Sequence, residues 1–130
     1  MSLKANGQWT VLIVEDEELV RMAVMDELTD RGLKVLGARD AAEALAILEA
    51  ETLVDLLITD IGLPGLDGRS LAEMARGLRP GLKVLFLTGY AIDPDEALPR
   101  TLFIEKPIQL DLLARVAEAM VEEAADDQAV

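Results

Sequence analysis

The stretch VLIVEDEELV, residues 11–20, runs four apolar residues straight into four acids. With Thr10 before it, the run TVLIV (10–14) is rich in β-branched residues and reads as a buried strand. Glu15, Asp16, Glu17 and Glu18 at its end repel one another. Acids in that place have two physical uses. They form the first turn of a helix, whose dipole favours negative charge, or they surround something positive. The residues beyond them support a helix, because Val20, Ala23, Val24 and Leu28 keep helical spacing and Gly32 suits a C-terminal cap.

The same alternation continues along the chain. KVLGA (34–38) is a short strand, and Asp40 with Glu43 forms a variant capping box for a helix whose buried stripe is Ala41, Ala44, Leu45 and Leu48. VDLLITD (54–60) is a third strand, followed by the turn GLPGLDG (62–68). Leu71, Met74, Ala75 and Leu78 mark a third helix, ended by Arg79-Pro80-Gly81. KVLFLTG (83–89) and TLFIEK (101–106) are the fourth and fifth strands. Between them, Pro94 and Pro99 make any fourth helix short or irregular. A last helix follows Pro107, with Leu113, Val116, Ala117, Met120 and Val121 on one face. Met22, Met25, Met74 and Met120 lie on or near these stripes and read as core filler. The order is (βα)5, and continuous apolar strands between helices imply a parallel sheet covered on both faces. The expected fold is α/β and flavodoxin-like, a three-layer sandwich with strand order 2-1-3-4-5. One domain is expected over 10–123, with a tail at 1–9 and an acidic tail at 124–130.

Composition narrows the chemistry. With no cysteine and no histidine, thiol chemistry, soft-metal sites and the commonest general base are excluded. A net charge of −13 argues against a nucleic-acid or anionic-membrane surface, which needs Lys/Arg clusters. No apolar run reaches the ~18 residues of a membrane span and no signal peptide is visible, so the expected compartment is the cytoplasm.

In a parallel sheet the carboxyl ends of all strands share one rim, where ligands bind. Glu15 and Asp16 follow the first strand, Asp60 ends the third, Thr88 the fourth and Lys106 the fifth. The order 2-1-3-4-5 makes the first and third strands neighbours, so Glu15, Asp16 and Asp60 are expected to converge within a few ångströms. Such a cluster needs protonation or neutralisation. With oxygen donors alone, a hard divalent cation, Mg2+, is the natural partner. Lys106 adds a fixed positive charge and Thr88 a hydroxyl donor, which together suit an anion with tetrahedral oxygens.

These residues carry a resemblance over almost the whole chain. The acidic pair Glu15-Asp16, the string DIGLPGLDG (60–68), Thr88 and Lys106-Pro107, in that order at strand ends, resemble the pattern of receiver domains of bacterial two-component response regulators. Any one of the four is a weak motif; together they are specific. The resemblance implies that Asp60 takes a phosphoryl group from phosphohistidine. It also implies that Asp16, Asp60 and the Gly62 carbonyl bind Mg2+, with Glu15 acting through water. Lys106 then holds one phosphoryl oxygen and Thr88 swings in to another. Phe103 moves inward as the switch aromatic, and the bond before Pro107 is cis. Gly62 and Tyr90, two residues beyond Asp60 and Thr88, flank the path of the hydrolytic water. The implied partners are a sensor histidine kinase or phosphotransfer protein and a downstream protein target that the residues do not name. The span from Thr88 to Lys106 is short for this family, which weighs against its usual dimer and leaves a monomer or weak homodimer.

Separately, each feature has a plainer reading: a solvated helix start, a turn, a strand end, ordinary core. Glu17 and Glu18 have only the first of these. The plain readings fail jointly, because accident does not place all the groups on one rim. A Mg2+-dependent phosphohydrolase would carry a general acid two residues after its nucleophile, where this chain has Gly62. A pseudo-receiver scaffold would lack Asp60, Asp16 or Lys106, and a dinucleotide-binding module would carry a glycine fingerprint after the first strand. The expectation is a signalling receiver rather than an enzyme, limited to its own phosphorylation and slow dephosphorylation. It is either a stand-alone protein or a receiver from a hybrid histidine kinase.

Overall fold

A computed structural model describes residues 8–50, 53–89 and 99–128, with side chains through residue 123. Five strands form one parallel sheet: β1 (Thr10–Val14), β2 (Lys34–Ala38), β3 (Leu56–Asp60), β4 (Lys83–Thr88) and β5 (Thr101–Glu105), in the order β2-β1-β3-β4-β5. The helices among the described residues are α1 (Glu18–Asp30), α2 (Ala41–Ala50), α3 (Gly68–Leu78) and α4 (Leu110–Gln128). The expected irregular fourth helix and Tyr90 lie outside the described residues. α4 extends to Gln128, into the stretch set apart as an acidic tail.

The apolar runs explain the layers. Alternate residues of β1 point to opposite faces, as strand geometry requires. Leu12 and Val14 pack with Leu57, Val84 and Phe86 under α2 and α3. Val11 and Ile13 pack with Leu56, Ile58, Leu85 and Leu87 under α1 and α4. β1, β3 and β4 are therefore buried on both faces, whereas the edge strands β2 and β5 are only partly covered.

Local chemistry ends the helices as their residues dictate. Gly32 has a φ of +90°; its N–H donates to the Thr29 carbonyl and the Leu33 N–H to Leu28, the reciprocal pair that closes a helix on a left-handed residue. Asp40 accepts from the Glu43 N–H at 2.9 Å, while Glu43 reaches back to the Arg39 N–H. Asp67 caps α3 by accepting from the Ser70 N–H at 2.8 Å.

That last bond holds the exposed Asp67 carboxyl below its ordinary value. A depressed carboxyl contributes stability above its unfolded-state pKa and loses it as pH falls through the folded one. Asp67→Ala should therefore lower the melting temperature at neutral pH. The difference from wild type should shrink at a pH below the ordinary aspartate range. An equal difference at both pH values in thermal melts would contradict an ionised cap.

Four residues expected on or near the buried stripes are corrected. Met74 and Leu78 are half-exposed, because α3 buries Gly68, Leu71, Ala72 and Ala75 instead. The N–H of Gly68 donates to the Ile61 carbonyl at 2.9 Å, and this close approach rotates the helix. Met22 is also half-exposed, since α1 buries Val24 and Leu28 and turns Met22 and Ala23 outward. Met25 and Met120 do face the core.

Candidate functional site

The four acids at the head of α1 have separate fates. Glu15 folds inward, 1% exposed, and its Oε2 accepts from the Glu17 N–H at 3.1 Å. Asp16 and Glu17 are exposed, Glu17 as the residue preceding α1, and Glu18 lies in its first turn. Arg21, one turn into α1, donates to the Glu15 carbonyl at 2.8 Å. Nothing in the sequence singled out Arg21, whose only signal is its spacing of six residues from Glu15.

The sheet register assembles the rest of the rim. Asp60 ends β3 opposite Leu87, and Thr88 ends β4 opposite Glu105. The Lys106 N–H donates to the Thr88 carbonyl at 2.7 Å, so the residue after β5 is held level with the end of β4. Asp60 is 8% exposed and Thr88 1%. The Asp60 carboxylate is shared: Oδ1 accepts from the Gly62 N–H at 3.0 Å, and Oδ2 forms an ion pair with Lys106 Nζ. The Lys106–Pro107 peptide bond is cis. A Cβ on Gly62 would lie 3.8 Å from Asp60 Oδ1, so a larger residue there would stand against the carboxylate. Phe103 is half-buried on β5 and stacks on Phe86.

The expected convergence of carboxylates is met only in part. No group of three acidic side chains stands ready to hold a metal ion among the described residues. The reason is local: Lys106 and the Gly62 N–H already engage Asp60, and Glu15 turns to the Glu17 N–H. The electrostatics nevertheless join them. Burial pushes the Glu15 carboxyl up, and the neighbouring Asp16 and Asp60 push the same way. Burial alone would lower the Lys106 ammonium, but the hydrogen bond it donates to Asp60 and the field of Asp60, Glu15 and Glu17 leave it raised.

One atom carries the test of fit for a cation. Glu15 Oε1 is buried and has no hydrogen-bond partner, a costly state for a carboxylate oxygen. An oxygen-rich site with an unsatisfied buried carboxylate oxygen, and no histidine or cysteine anywhere in the chain, suits a hard divalent ion.

A groove of about 390 Å3 opens beside the rim, lined by Leu19, Val20, Ala23, Ile108 and Leu110 and reaching Glu15 and Lys106. No helix among the described residues is long and apolar enough to cross a membrane.

Comparison with known proteins agrees with this geometry. The family model described as the response regulator receiver domain matches residues 11–118. The response regulator receiver protein CpdR of Brucella abortus (strain 2308) is 34% identical over 115 residues, covering 85% of this chain and 95% of that protein. Sensor kinase CckA of the same organism is 37% identical over 125 residues, 90% of this chain, but the chain spans only 13% of the kinase. Among solved structures, the receiver domain from hybrid histidine kinase CckA is matched with a TM-score of 0.76 at 37% identity, covering 86% of this chain and 98% of that one. A CheY-like receiver domain protein from Methanospirillum hungatei JF-1 gives 0.83 at 29% identity, covering 93% and 99%. With the sheet order, the rim and these matches in agreement, the chain belongs to the response regulator receiver domain family and is a phosphoacceptor module of two-component signalling.

Proposed function

We propose that Asp60 is the phosphoacceptor, taking its phosphoryl group from a phosphohistidine on a sensor histidine kinase or phosphotransfer protein. The observation that carries this reading is the pairing of a nearly buried Asp60 carboxylate with the Lys106 ammonium, in the field of a buried Glu15 that has an unsatisfied oxygen. An ionised carboxylate held in place is a competent nucleophile. Phosphoryl transfer asks the protein chiefly for position and charge neutralisation.

In the step, an Asp60 Oδ–P bond forms and the donor's P–N bond breaks; the leaving imidazole takes a proton from solvent. Lys106 passes its hydrogen bond from Asp60 Oδ2 to a phosphoryl oxygen. The Thr88 hydroxyl donates to another, and Phe103 moves inward behind it. Asp16, Asp60 and the Gly62 carbonyl would hold Mg2+, with Glu15 helping through water. When bound, the ion offsets the charge of the phosphoryl oxygens. The acyl phosphate is lost slowly, with Tyr90 shielding it and Gly62 leaving it open. The chain acts on no other substrate: its output is a change in contacts with a downstream protein. The receiver unit is residues 10–123, with α4 running on to Gln128, a monomer or weak homodimer working in the cytoplasm, either alone or as part of a longer kinase.

The test is uptake from a small-molecule phosphodonor. With Mg2+ and excess acetyl phosphate, the intact mass should rise by one phosphoryl group; with the metal chelated by EDTA it should not. Equal labelling with and without metal would contradict the proposed cofactor, and no labelling in either would contradict the function.

A further inference from the structure

The two phenylalanines of the chain, Phe86 and Phe103, face each other in register across β4 and β5. Their ring centroids are 5.2 Å apart with an interplanar angle of 27°. The Arg69 guanidinium lies over both, 5.9 Å from the Phe86 centroid and 5.8 Å from that of Phe103. A guanidinium at this distance is attracted by the electron-rich ring faces. Two rings at nearly equal distance make Arg69 a bridge rather than a neighbour of one.

What Arg69 connects is informative. It follows Gly68, which packs on the backbone of Asp60 so closely that a Cβ there would lie 2.2 Å from the Asp60 carbonyl oxygen. The start of α3 is thus referenced to the phosphoacceptor. Phe86 lies two residues before Thr88, on the same face of β4, and Phe103 lies three before Lys106. The start of α3 therefore links the Asp60 backbone, through Gly68, to the two strands that lead to the phosphoryl-binding hydroxyl and ammonium, through Arg69. Phe86 is buried, but Phe103 and Arg69 are half-buried, and a cavity of about 170 Å3 lined by Arg69, Ala72, Glu73, Arg76 and Phe86 adjoins the stack. Arg69, which lines that cavity, has room to leave the stack, and the half-buried Phe103 is not enclosed, whereas a closed core would hold both.

We propose that Arg69 is a positioning residue that holds Phe103 on Phe86 in the unmodified protein and so opposes the rearrangement of Thr88 and Phe103 on phosphorylation. This rests on the proposed readings of Asp60 as the phosphoacceptor and of Thr88 and Phe103 as the pair that moves. A contact made in one of two states biases the equilibrium toward that state by its own free energy. Removing the contact then tightens binding of anything that selects the other state.

Beryllofluoride with Mg2+ serves as the phosphoryl mimic, and its binding can be followed by 19F NMR. Arg69→Met keeps an apolar stem of similar length without the guanidinium. It should bind beryllofluoride about two- to fivefold more tightly than wild type. Arg69→Lys, which keeps a cation near the rings, should fall between them. In a Thr88→Ala background the gain from Arg69→Met should vanish, which a purely structural role of Arg69 would not produce. Unchanged or weaker binding by Arg69→Met, beside normal binding by wild type, would overturn the role of Arg69 alone. Wild type that binds no beryllofluoride would overturn the phosphoacceptor reading and this inference with it.

Discussion

Asp60→Asn is expected to reduce phosphoryl uptake to background while leaving the fold intact. Asparagine has the same shape, and its Oδ1 still accepts the Gly62 N–H that Asp60 accepts at 3.0 Å. It cannot form an acyl phosphate, because the amide has no ionised oxygen to attack phosphorus. The substitution also removes one negative charge from a rim where Glu15 is already pushed up by burial and by Asp60. Loss of the Lys106 partner and relief of that repulsion act in opposite directions, so the melting temperature should change little while labelling disappears. Residual labelling at a sizeable fraction of wild type would show that another residue takes the phosphoryl group.

Gly68→Ala should be among the most damaging single-methyl changes in the protein. The new Cβ would stand 2.2 Å from the Asp60 carbonyl oxygen, 2.9 Å from Ile61 Cα and 3.0 Å from the Asp60 carbonyl carbon. All three are backbone atoms and none can rotate away, so either α3 lifts off or the end of β3 shifts. A cost of about 2–3 kcal/mol is expected, a fall in melting temperature of roughly 10 °C. Because the displaced atoms belong to Asp60, phosphoryl uptake should slow as well. Gly37→Ala is the control. Its Cβ would meet Met25 Sδ at 2.6 Å, but that is the far end of a flexible side chain on α1. The thioether can rotate aside, so the cost should stay below about 1 kcal/mol. Thermal melts of the two variants measure both; equal costs would mean that α3 does not lean on the Asp60 backbone.

Much of this architecture is legible in the residues. The run from Val11 to Val14, apolar on both faces, announces a central parallel strand, and the caps at Gly32 and Asp40 work as their residue types dictate. The order of Glu15, Asp60, Thr88 and Lys106 along the chain suffices to place them on one rim. What escapes the sequence is rotation and reach. Residues 71, 74, 75 and 78 and residues 68, 71, 72 and 75 both have helical spacing, and only the tertiary approach of Gly68 to Asp60 selects the second set. Glu15 and Asp16 read alike, yet one is buried and the other exposed, because successive residues leave a strand in opposite directions. The Arg31 guanidinium ties α1 to Asp111 and Glu118 on α4, 80 and 87 residues away, and no local pattern encodes that distance. Arg69 over its two rings is hidden for the same reason.

The central claim is that one carboxylate, Asp60, receives the phosphoryl group. Borohydride reduces an acyl phosphate to an alcohol and so marks the residue that carried it. After labelling with a phosphodonor and Mg2+, reduction and peptide mapping should find a single altered residue, at Asp60. Modification at Glu15 or Asp16, or a phosphoryl group that resists borohydride on a serine or threonine, would contradict it.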